Sequence, residues 1–513
     1  MGKYYITTAI VYANGMPHIG HAYELVTTDI PARFQRMKGN DVFFSTGSDE
    51  HSLNVLKEAR SRGKDPGVYC DEMAEIYKSL WKKYNISNDD YIRTTEERHK
   101  KAVKEIFKRS FDSGDIYKGY YEGWYCNACE SYYSESDLDE ELNCPVHRIK
   151  PEKLKEENYF MKLSKYSGRL QEHILKNPDF IQPETRKNEI LGILKEGLRD
   201  VSISRPGRDW GIKLPVDESQ TVYVWFDALI NYISVLGFED GSGEGFKKYW
   251  PADVHIIGKD IIKFHCIIWP IMLMSAGIEL PKKVFGHGFL LNKGEKMSKT
   301  RGNIVDPDNI ADVFGVDVIR YFFASNITNG VDGDFSEGAI IKRYNSDLAN
   351  DLGNLINRSL NMVEKYFDGK APAYSEEAAD DAIKNAADKA DTLWERFEPK
   401  MEALDFSGAL AEAWGCIGAA NKLIETEMPW NLAKEGNTGK LGSLMYVLIE
   451  IIRIVSVAAA PVMPETAPKI WKKIGVEYDL RTIRMDAEMK FGKIPEGTPV
   501  SKGDPLFPRI KDE

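Results

Sequence analysis

The start of the chain shows two apolar runs separated by a stretch in which apolar positions have helical spacing. Residues 4–12 (YYITTAIVY) are rich in β-branched and aromatic side chains, which predicts a buried strand. After a turn at 13–17 (ANGMP), the pattern predicts a helix from His18 to about Lys38 and a second strand over 41–45 (DVFFS). Strand, helix and strand form a βαβ unit, which predicts a parallel sheet with a ligand crevice at the ends of its strands.

The pattern changes twice further along the chain. Residues 116–215 are rich in aromatic, Lys and Glu side chains and predict an insertion, and sheet-like patterns return at 221–229 (TVYVWFDAL) and 254–258 (VHIIG). From about Asp334 the spacing is helical almost to the Pro- and charge-rich residues 496–513, for which we expect a surface tail. The predicted fold class is therefore α/β: a Rossmann-type parallel sheet split by an insertion and followed by an all-α helix bundle.

Composition refines this picture. A chain of 513 residues is long enough for three or four domains of about 150 residues. A hydrophobic share of 42% with 29% charged residues excludes a disordered or collagen-like chain, and six cysteines exclude a disulfide scaffold and suggest a reducing compartment. The net charge of −11 argues at first sight against a polyanionic partner. Residues 282–301, however, hold five Lys and one Arg against one Glu, so basic surface can be local and the total does not exclude a nucleic acid.

The pattern contains neither a predicted signal peptide nor a predicted membrane span. The opening residues, MGKYYITTAI, lack the apolar core of a signal peptide. The most apolar late stretch, 441–463, contains Glu450 and Arg453 and predicts a buried amphipathic helix. We therefore expect a cytoplasmic protein with no membrane partner.

The first candidate site lies where the first strand turns into the first helix, in the segment Y-A-N-G-M-P-H-I-G-H (12–21). A helix N-terminus presents unpaired N–H donors and the positive end of the helix dipole, which favours an anion. His18 and His21 project from one face of the first turn, and Gly20 lets a flat ring or a phosphate approach the backbone. This arrangement suits a phosphate that gains charge in a reaction, although an isolated H-x-x-H is often only a pair of surface histidines on a helix cap.

A second candidate is the basic segment K-G-E-K-M-S-K-T-R-G-N (293–303). Its flanking glycines predict a mobile loop that closes on a substrate. The lysines Lys296 and Lys299 would supply mobile positive charges that follow a phosphate through a transition state. Taken alone, a K-x-x-K segment is better explained as a solvated basic loop.

The third candidate is a metal site. Cys126 and Cys129 are separated by two residues, and Cys144 and His147 repeat this spacing after fourteen intervening residues. Paired clusters of this kind predict tetrahedral Zn²⁺. Three thiolates and one imidazole leave no open position, so we expect one structural zinc ion per chain rather than a catalytic one.

The H-I-G-H and K-M-S-K-T segments together resemble the paired signatures of class I aminoacyl-tRNA synthetases. The segments around them resemble the methionyl-tRNA synthetase family, in the correct order over almost the whole chain, and the single set of metal ligands resembles its single zinc-knuckle subtype. The segments that carry the resemblance are TTAIVYANGMPHIGH (7–21), STGSDEH (45–51), TVYVWFDALINY (221–232), IIGKDIIKFHCIIWP (256–270), HGFLLNKGEKMSKTRGN (287–303), DLANDLGNLINRSL (347–360) and MPW (428–430).

The resemblance implies an enzyme that activates L-methionine with ATP to methionyl-adenylate and pyrophosphate and then transfers methionine to the 3′ end of tRNA(Met). Mg²⁺ would accompany ATP on its phosphates. The residues matched to catalysis are His18, His21, Lys296 and Lys299. Those matched to ATP binding are His18, Gly20, His21, Asp260, Lys296, Met297 and Lys299.

Methionine offers an ammonium, a carboxylate and a soft thioether, so an apolar, aromatic pocket suits it. Asp49 resembles the carboxylate that receives the ammonium of the substrate. The remaining pocket residues by family match are Ile10, Tyr12, Trp225, Ala228, Tyr232, Phe264, His265 and Trp269. Any one of these aromatic residues is better explained by core packing, and only the matched set favours a pocket.

The C-terminal helices would bind the anticodon. Asn354 and Arg358 are four residues apart and share a helix face, where both can form paired hydrogen bonds to base edges. Trp430 matches the tryptophan on which an anticodon base stacks in the family. The expected domains are the first Rossmann half, 1–115; a connective insertion with the zinc knuckle, 116–215; the second Rossmann half, 216–303; a stem-contact linker, 304–345; and the anticodon-binding domain, 346–513.

Three alternatives stay open at this stage. A class I synthetase for Ile, Val or Leu would carry a larger editing insertion than 116–215, and one for Cys would place zinc in the substrate pocket. A smaller nucleotidyltransferase with an H-x-G-H site would not need the C-terminal helices. A non-catalytic tRNA-binding paralogue would not need the four candidate catalytic residues. We also expect a monomer, because the chain ends at LFPRIKDE without an appended tRNA-binding module.

Overall fold

The first βαβ unit forms where the hydrophobic pattern predicts it, in a computed structural model that describes residues 2–126, 128, 131–133, 135–146, 148–292, 294–297 and 305–511. His18 ends the extended backbone and caps the first helix, which continues through Pro31 to Met37. The elements of this region are β1 (Lys3–Thr8), β2 (Val11–Tyr12), α1 (Ile19–Met37), β3 (Asp41–Asp49), α2 (Leu53–Ser61), α3 (Pro66–Lys83), β4 (Asp90–Arg93) and α4 (Glu97–Asp112).

The range 116–215 is built around a long antiparallel hairpin. Its two long strands, β5 and β7, pair from Ile116 opposite Met161 to Tyr125 opposite Glu152. The elements of this range are β5 (Ile116–Cys126), β6 (Ser131–Tyr133), β7 (Glu152–Met161), α5 (Ser167–Lys176), β8 (Ile181–Gln182), α6 (Glu184–Glu196), β9 (Val201–Ser202), β10 (Ser204–Pro206) and β11 (Lys213–Leu214), with short 3₁₀ turns at Glu135–Asp137 and Ser164–Tyr166.

The chain then returns to the central sheet. The elements of this return are β12 (Asp217–Val222), α7 (Val224–Leu229), α8 (Asn231–Ser234), α9 (Glu244–Tyr249), β13 (Val254–Gly258), a 3₁₀ turn (Lys259–Ile261), a π-helical turn (Phe264–Ile268), α10 (Trp269–Ser275), β14 (Val284–His287), β15 (Leu290–Asn292) and β16 (Glu295–Lys296). Only the first two residues of the sheet-like pattern at 221–229 are therefore strand, because β12 ends at Val222 and α7 begins at Val224. A continuous apolar run fits a buried strand and a buried helix equally well, which explains this error.

The remainder is helical, as the pattern predicts. Its elements are α11 (Pro307–Phe314), α12 (Val316–Asn326), the short strand β17 (Gly333–Asp334), α13 (Glu337–Arg343), a π-helical segment (Tyr344–Gly353), α14 (Asn354–Tyr366), α15 (Asp381–Asp391), α16 (Leu393–Glu402), α17 (Phe406–Glu427), α18 (Pro429–Lys434), α19 (Thr438–Ala459), α20 (Thr466–Lys473) and α21 (Met485–Glu488). The last residues, as far as they are described, are mostly exposed, as expected of a surface tail, but they are attached to the fold. Asn345 exchanges two hydrogen bonds with the backbone of Ile510, and Phe507 is buried.

The central sheet has seven parallel strands. Its order is β2-β3-β1-β13-β14-β8, with β4 also paired to β3. The strand β8 lies within 116–215 but belongs to this sheet, so the predicted insertion is interrupted by a return to the sheet. In a parallel sheet with helical crossovers, ligands bind at the carboxyl ends of the strands, which here are the ends of β1, β3, β13 and β14.

The described residues form two hydrophobic cores, and each core combines segments that are far apart in the sequence. One joins α1 and β1 to the linker helices and to the C-terminal helices as far as Phe507. The other joins α4 and the insertion to α7, α8 and α10. The first helix thus packs with the C-terminal domain, although more than 300 residues separate Phe34 from Trp394 and Phe397, whose rings lie 6.1 and 6.3 Å from its own.

The helix α19 has the length and hydropathy of a membrane span, but every residue of its most apolar stretch is buried inside the protein. The two charged residues in that stretch form an ion pair, in which Glu450 accepts hydrogen bonds from Arg453 at 3.0 and 2.7 Å. The helix is buried as predicted, but it ends at Ala459 and is buried on every side from Leu441 onward, so it is not amphipathic.

A buried ion cluster connects α1 to the rest of the molecule. Asp29 accepts hydrogen bonds from Arg33 and Arg320, both at 2.6 Å, and Asp29 and Arg320 are completely inaccessible to solvent. Arg320 lies on α12 and also donates to the carbonyls of Pro461 and Val462 at the end of α19. Burial alone would raise the pKa of Asp29, but the two guanidinium groups lower it to about 2.

Replacing Asp29→Ala should lower the free energy of unfolding by about 3–5 kcal/mol, because it leaves the buried Arg320 without its counter-ion. The measurement is the urea dependence of circular dichroism. Glu172→Ala, which removes the solvent-exposed partner of Lys176, serves as the control and should leave stability close to wild type. Equal stability of the two variants would show that the buried cluster is not a structural anchor.

Candidate active site

The first helix begins with two histidines that cap backbone groups. The Nδ1 atom of His18 accepts a hydrogen bond from the backbone N–H of Gly20, and Nδ1 of His21 accepts one from the N–H of His18, both at 3.1 Å. The two rings stack with their centroids 3.8 Å apart. Because each Nδ1 accepts, each neutral imidazole carries its proton on Nε2. The sequence therefore builds two N–H donors at the positive end of a helix.

The residue between them has a structural reason to be glycine. A Cβ at Gly20 would lie 3.0 Å from both Nδ1 and Cε1 of His18. A side chain at this position would press against the imidazole, which would have to shift by a few tenths of an ångström. This packing requirement adds to the predicted role of Gly20 in admitting a ligand to the backbone.

The chain that carries the predicted basic loop returns to the same helix turn. The N–H of Ile19 donates to the carbonyl of Val305 at 3.1 Å, and Met297 packs against the core that contains α1. The backbone of Lys296 pairs with Leu291 in the hairpin of β15 and β16. The side chain of Lys296 and the whole of Lys299 lie outside the described residues, so their predicted roles stay predictions.

A small cavity opens at the carboxyl ends of β1 and β3. Its volume is about 30 Å³, which is smaller than the roughly 300–1,000 Å³ of typical ligand pockets. Seven predicted residues line it: Ile10, Tyr12, Asp49, Trp225, Ala228, Tyr232 and His265. The residues Ala9, Leu229, Asn231 and Ile261 complete its wall and were not predicted.

The other two predicted aromatics lie behind this wall. Phe264 stacks on Trp225 with a centroid separation of 3.7 Å and an interplanar angle of 9°. Trp269 is completely buried and lies 5.8 Å from the ring of Tyr232. The wall thus has an outer aromatic layer that holds Trp225 and Tyr232 in position.

A hydrogen-bonded chain keeps the polar side of the cavity neutral. The Nδ1 atom of His265 donates to the carbonyl of Ile261 at 3.0 Å, which leaves Nε2 to accept the hydroxyl proton of Tyr232 at 2.7 Å. Burial lowers the pKa of His265 to about 4. A neutral imidazole avoids repulsion of any cationic group that enters the cavity.

The acidic side of the cavity is Asp49, the last residue of β3. Its side chain is buried, and its carbonyl accepts a hydrogen bond from Ala13 N–H at 3.1 Å. The strand continues to Asp49 rather than ending at 45 as predicted, and this extension carries Asp49 to the pocket beside Tyr12, its partner in β2. A buried carboxylate in an aromatic pocket is suited to an alkylammonium group.

A second polar pair at the strand ends was not predicted. Glu24, three residues after His21 on α1, accepts hydrogen bonds from Ala9 N–H at 2.9 Å and from Nε2 of His287 at 3.1 Å. Burial disfavours the charged imidazole, but the bond to Glu24 raises the pKa of His287 above its ordinary value. Helical spacing from His21 was the sequence signal that could have identified Glu24.

The remaining predicted residues lie apart from the cavity. Asp260 is exposed just beyond the end of β13. Cys126 and Cys144 are buried in the insertion, whereas Cys129 and His147 lie outside the described residues. In the part of the chain that the structure describes, three or more metal-binding side chains do not gather at any point. Asn354 is exposed and Arg358 half-buried on α14, and Trp430 is 40% exposed at the start of α18.

A parallel sheet with paired imidazoles at the start of its first helix, in a chain whose sequence also carries the K-M-S-K-T segment, defines a class I aminoacyl-tRNA synthetase. Two family models match the chain. One describes "tRNA synthetases class I (M)" and matches residues 4–153 and 136–360, and the other describes the "Anticodon binding domain of methionyl tRNA ligase" and matches 372–513. The chain belongs to the methionyl-tRNA synthetase family, which confirms the resemblance seen in the sequence.

Individual relatives agree with this assignment. The methionine–tRNA ligases of Caldanaerobacter subterraneus subsp. tengcongensis and Clostridium tetani are 48% and 49% identical to the chain, covering 99% of it and 79% of their own length. A Mycobacterium tuberculosis methionyl-tRNA synthetase solved in complex with methionyl-adenylate is 42% identical, with a TM-score of 0.94 over 99% of this chain and 100% of its own. The activity of the chain is therefore the ATP-dependent activation of methionine and its transfer to tRNA(Met).

The buried His265 predicts a specific pH dependence of stability. The unfolded chain takes up a proton on this imidazole at about pH 6.5, whereas the folded protein does so only near pH 4. Stability should therefore fall as the pH drops from about 6.5 to 4, because in that range the unfolded state binds the extra proton. In His265→Gln, the slope of the unfolding free energy against pH should be shallower by up to about 1.4 kcal/mol per pH unit. Identical slopes in chemical denaturation would contradict a neutral, buried His265.

Proposed function

We propose that the cavity lined by Asp49, Tyr12 and Trp225 is the methionine site of this enzyme. The observation that carries the proposal is that seven of the nine residues matched to methionine binding surround one cavity. The Asp49 carboxylate would bind the substrate ammonium, and the edges and faces of Tyr12 and Trp225, whose centroids are 6.2 Å apart, would contact the thioether.

We propose further that the adenylate forms at the start of α1. A carboxylate oxygen of methionine attacks the α-phosphorus of ATP, the bond to the β-phosphate oxygen breaks, and pyrophosphate leaves. Negative charge grows on the phosphate oxygens, where the Nε2–H donors of His18 and His21 and the N-terminus of α1 would stabilise it. Lys296 and Lys299 would follow the leaving pyrophosphate. Mg²⁺ bound with ATP would neutralise part of the phosphate charge.

The second step needs only correct placement of the two reactants. A ribose hydroxyl at the 3′ end of tRNA attacks the carbonyl carbon of the adenylate, AMP leaves with the phosphate oxygen of the broken mixed anhydride, and the hydroxyl proton passes to the departing phosphate. The residues that hold the adenylate therefore serve both steps by orientation. We assign no separate general base.

Asp49→Asn should raise the KM for methionine in ATP–pyrophosphate exchange by about tenfold or more, because a neutral amide loses the charge attraction to the ammonium while preserving shape. Trp225→Ala should also raise it, by removing the apolar wall. The KM for ATP is the internal reference and should change little. If both variants retain the wild-type KM for methionine, the methionine site lies elsewhere in the molecule.

For the C-terminal domain we propose anticodon binding by Asn354, Arg358 and Trp430. Asn354 and Arg358 lie one helical turn apart on α14, and α17 contacts the preceding segment through the Asn421 side chain and the carbonyl of Asp351 at 3.2 Å. The end of α17 leads through Met428, which has a left-handed backbone with φ of 46°, directly to Trp430. This exposed indole is suited to stacking on a base.

Trp430→Ala should raise the KM for tRNA(Met) in aminoacylation by about tenfold or more, the equivalent of losing one base stack worth 1–3 kcal/mol. Methionine-dependent ATP–pyrophosphate exchange, which needs no tRNA, should be unchanged. Trp430→Phe keeps an aromatic face and should retain most of the tRNA affinity. An unaltered KM for tRNA in the alanine variant would exclude Trp430 from the anticodon site.

We propose one structural Zn²⁺ bound by Cys126, Cys129, Cys144 and His147. The donor chemistry fits, because the two described ligands are buried thiols and Cys144 lies in a tight turn in which its carbonyl accepts from Arg148 N–H at 2.7 Å. Such an ion would stabilise the tip of the insertion and take no part in adenylate formation. The predicted domain boundaries, the cytoplasmic location and the monomeric state stay predictions.

A further inference from the structure

A buried aspartate next to the proposed methionine pocket binds two histidines. One carboxylate oxygen of Asp227 lies 2.7 Å from Nδ1 of His51, and the other lies 2.7 Å from Nε2 of His99. Asp227 and His99 are completely buried, and His51 is 8% exposed. The other nitrogen of His99 lies 2.8 Å from the hydroxyl of Ser234 on α8.

The protonation of this cluster follows from its geometry. Burial alone would raise the pKa of Asp227, but the two imidazoles lower it to about 2. An ionised carboxylate only accepts hydrogen bonds, so both facing imidazole nitrogens must be donors. Asp227 therefore joins His51, in the loop after β3, to His99, on α4, from its own position on α7.

The His51 end of the cluster supports Asp49. Between these two residues lies Glu50, which is completely buried and bound by Arg93 at 2.7 Å and Thr95 at 2.5 Å. The segment that presents Asp49 is thus held by two successive side chains, Glu50 on one side of the strand end and His51 on the other. The Trp210 ring lies 5.6 Å from His51, and its Nε1 donates to the carbonyl of Glu50 at 2.7 Å, which covers the segment from outside.

The Asp227 end supports the opposite wall of the pocket. Asp227 lies between Trp225 and Ala228 on α7, and both of these neighbours line the cavity. The Asn231 side chain donates to the carbonyl of Ala228 at 2.6 Å, which ties α7 to α8. The hydrogen bond between His51 and Asp227 is therefore a direct connection between the wall that carries Asp49 and the wall that carries Trp225.

We propose that Asp227 is a positioning residue for methionine, which sets substrate affinity by holding the wall that carries Asp49 in place relative to the wall that carries Trp225. This inference rests on the proposed methionine site. Asp227 itself does not line the cavity and acts through His51. A change in the spacing of two pocket walls alters binding at both ends of the substrate, because the ammonium and the side chain can no longer be satisfied together.

The test is Asp227→Asn in the full-length enzyme. An asparagine side chain has one acceptor oxygen and one NH₂ donor, so it can satisfy only one imidazole N–H and must oppose the other. The KM for methionine in ATP–pyrophosphate exchange should rise about tenfold or more, with the KM for ATP changed by less than about threefold. His51→Ala should act in the same direction, and His51→Asn, whose amide N–H matches the position of Nδ1, should restore most of the affinity.

The matched control is Glu450→Gln. Glu450 is an equally buried carboxylate that accepts from Arg453, Gly492 and Ile494 in the C-terminal domain. Its loss of charge should lower thermal stability without altering the KM for methionine. If Asp227→Asn does not fold, the two His51 variants carry the test, because His51 lies at the edge of the cluster.

The outcomes separate this inference from the proposed site. A raised methionine KM in Asp49→Asn together with wild-type values in Asp227→Asn and His51→Ala would overturn the positioning role and leave the site intact. Wild-type values in Asp49→Asn and Trp225→Ala would refute the site itself. Parallel rises in the KM for methionine and for ATP in Asp227→Asn, or failure of His51→Asn to restore affinity, would mean that Asp227 has only a general structural role.

Discussion

The buried cluster of Asp29, Arg33 and Arg320 is the constraint on which the arrangement of this molecule depends. Removing three charges from water is costly, and the cost is offset only while the geometry of all partners is maintained. Here the partners come from α1, from the linker helix α12 and from the backbone at the end of α19. The guanidinium of Arg320 can therefore form all of its hydrogen bonds only when the catalytic sheet, the linker and the C-terminal helices meet in one orientation.

The helix α1, which carries Asp29, contacts a different region of the molecule at each part of its length. Its first turn holds the paired imidazoles, its middle holds the ion cluster, and its last turns pack on α16, where Gln35 and Lys38 bind Glu402. Since an α-helix of this length is stiff, a shift of the C-terminal helices acts on the same body that positions His18 and His21. The first helix, the linker helices and the C-terminal helices also share one hydrophobic core, which is consistent with their moving as one rigid unit.

The active site shows a consistent division of electrostatic roles. At the first turn of α1 the imidazoles are arranged as donors, which suits growing negative charge. In the adjacent cavity the buried His265 is kept neutral and Asp49 supplies the negative charge, which suits an ammonium group. The two ends of an amino acid poised for attack on a phosphate need these opposite environments, and the strand ends of a parallel sheet bring them together.

Much of this could be predicted from the sequence, because the βαβ pattern, the paired signatures and the family match concern local segments. The strand predicted over 221–229 was wrong from Val224, where α7 begins. A run of aromatic and β-branched residues indicates burial but does not separate the two-residue repeat of a strand from the 3.6-residue repeat of a helix. The two-residue strand β8 is too short to leave a pattern. The sequence did not indicate the roles of Asp227, His99 and Arg320, because these side chains bind partners that are distant in the chain. His51 and Asp227 are 176 positions apart, and Asp29 and Arg320 are 291 positions apart.

The central claim is that one cavity beside the first turn of α1 receives methionine and presents it to ATP. A crystal structure of the wild-type protein with methionyl-adenylate bound tests this most directly. We predict the substrate ammonium on the Asp49 carboxylate, the thioether against Tyr12 and Trp225, and the phosphate within hydrogen-bond distance of Nε2 of His18 or His21. Methionyl density outside this cavity, or an ammonium bound by a residue other than Asp49, would contradict the account.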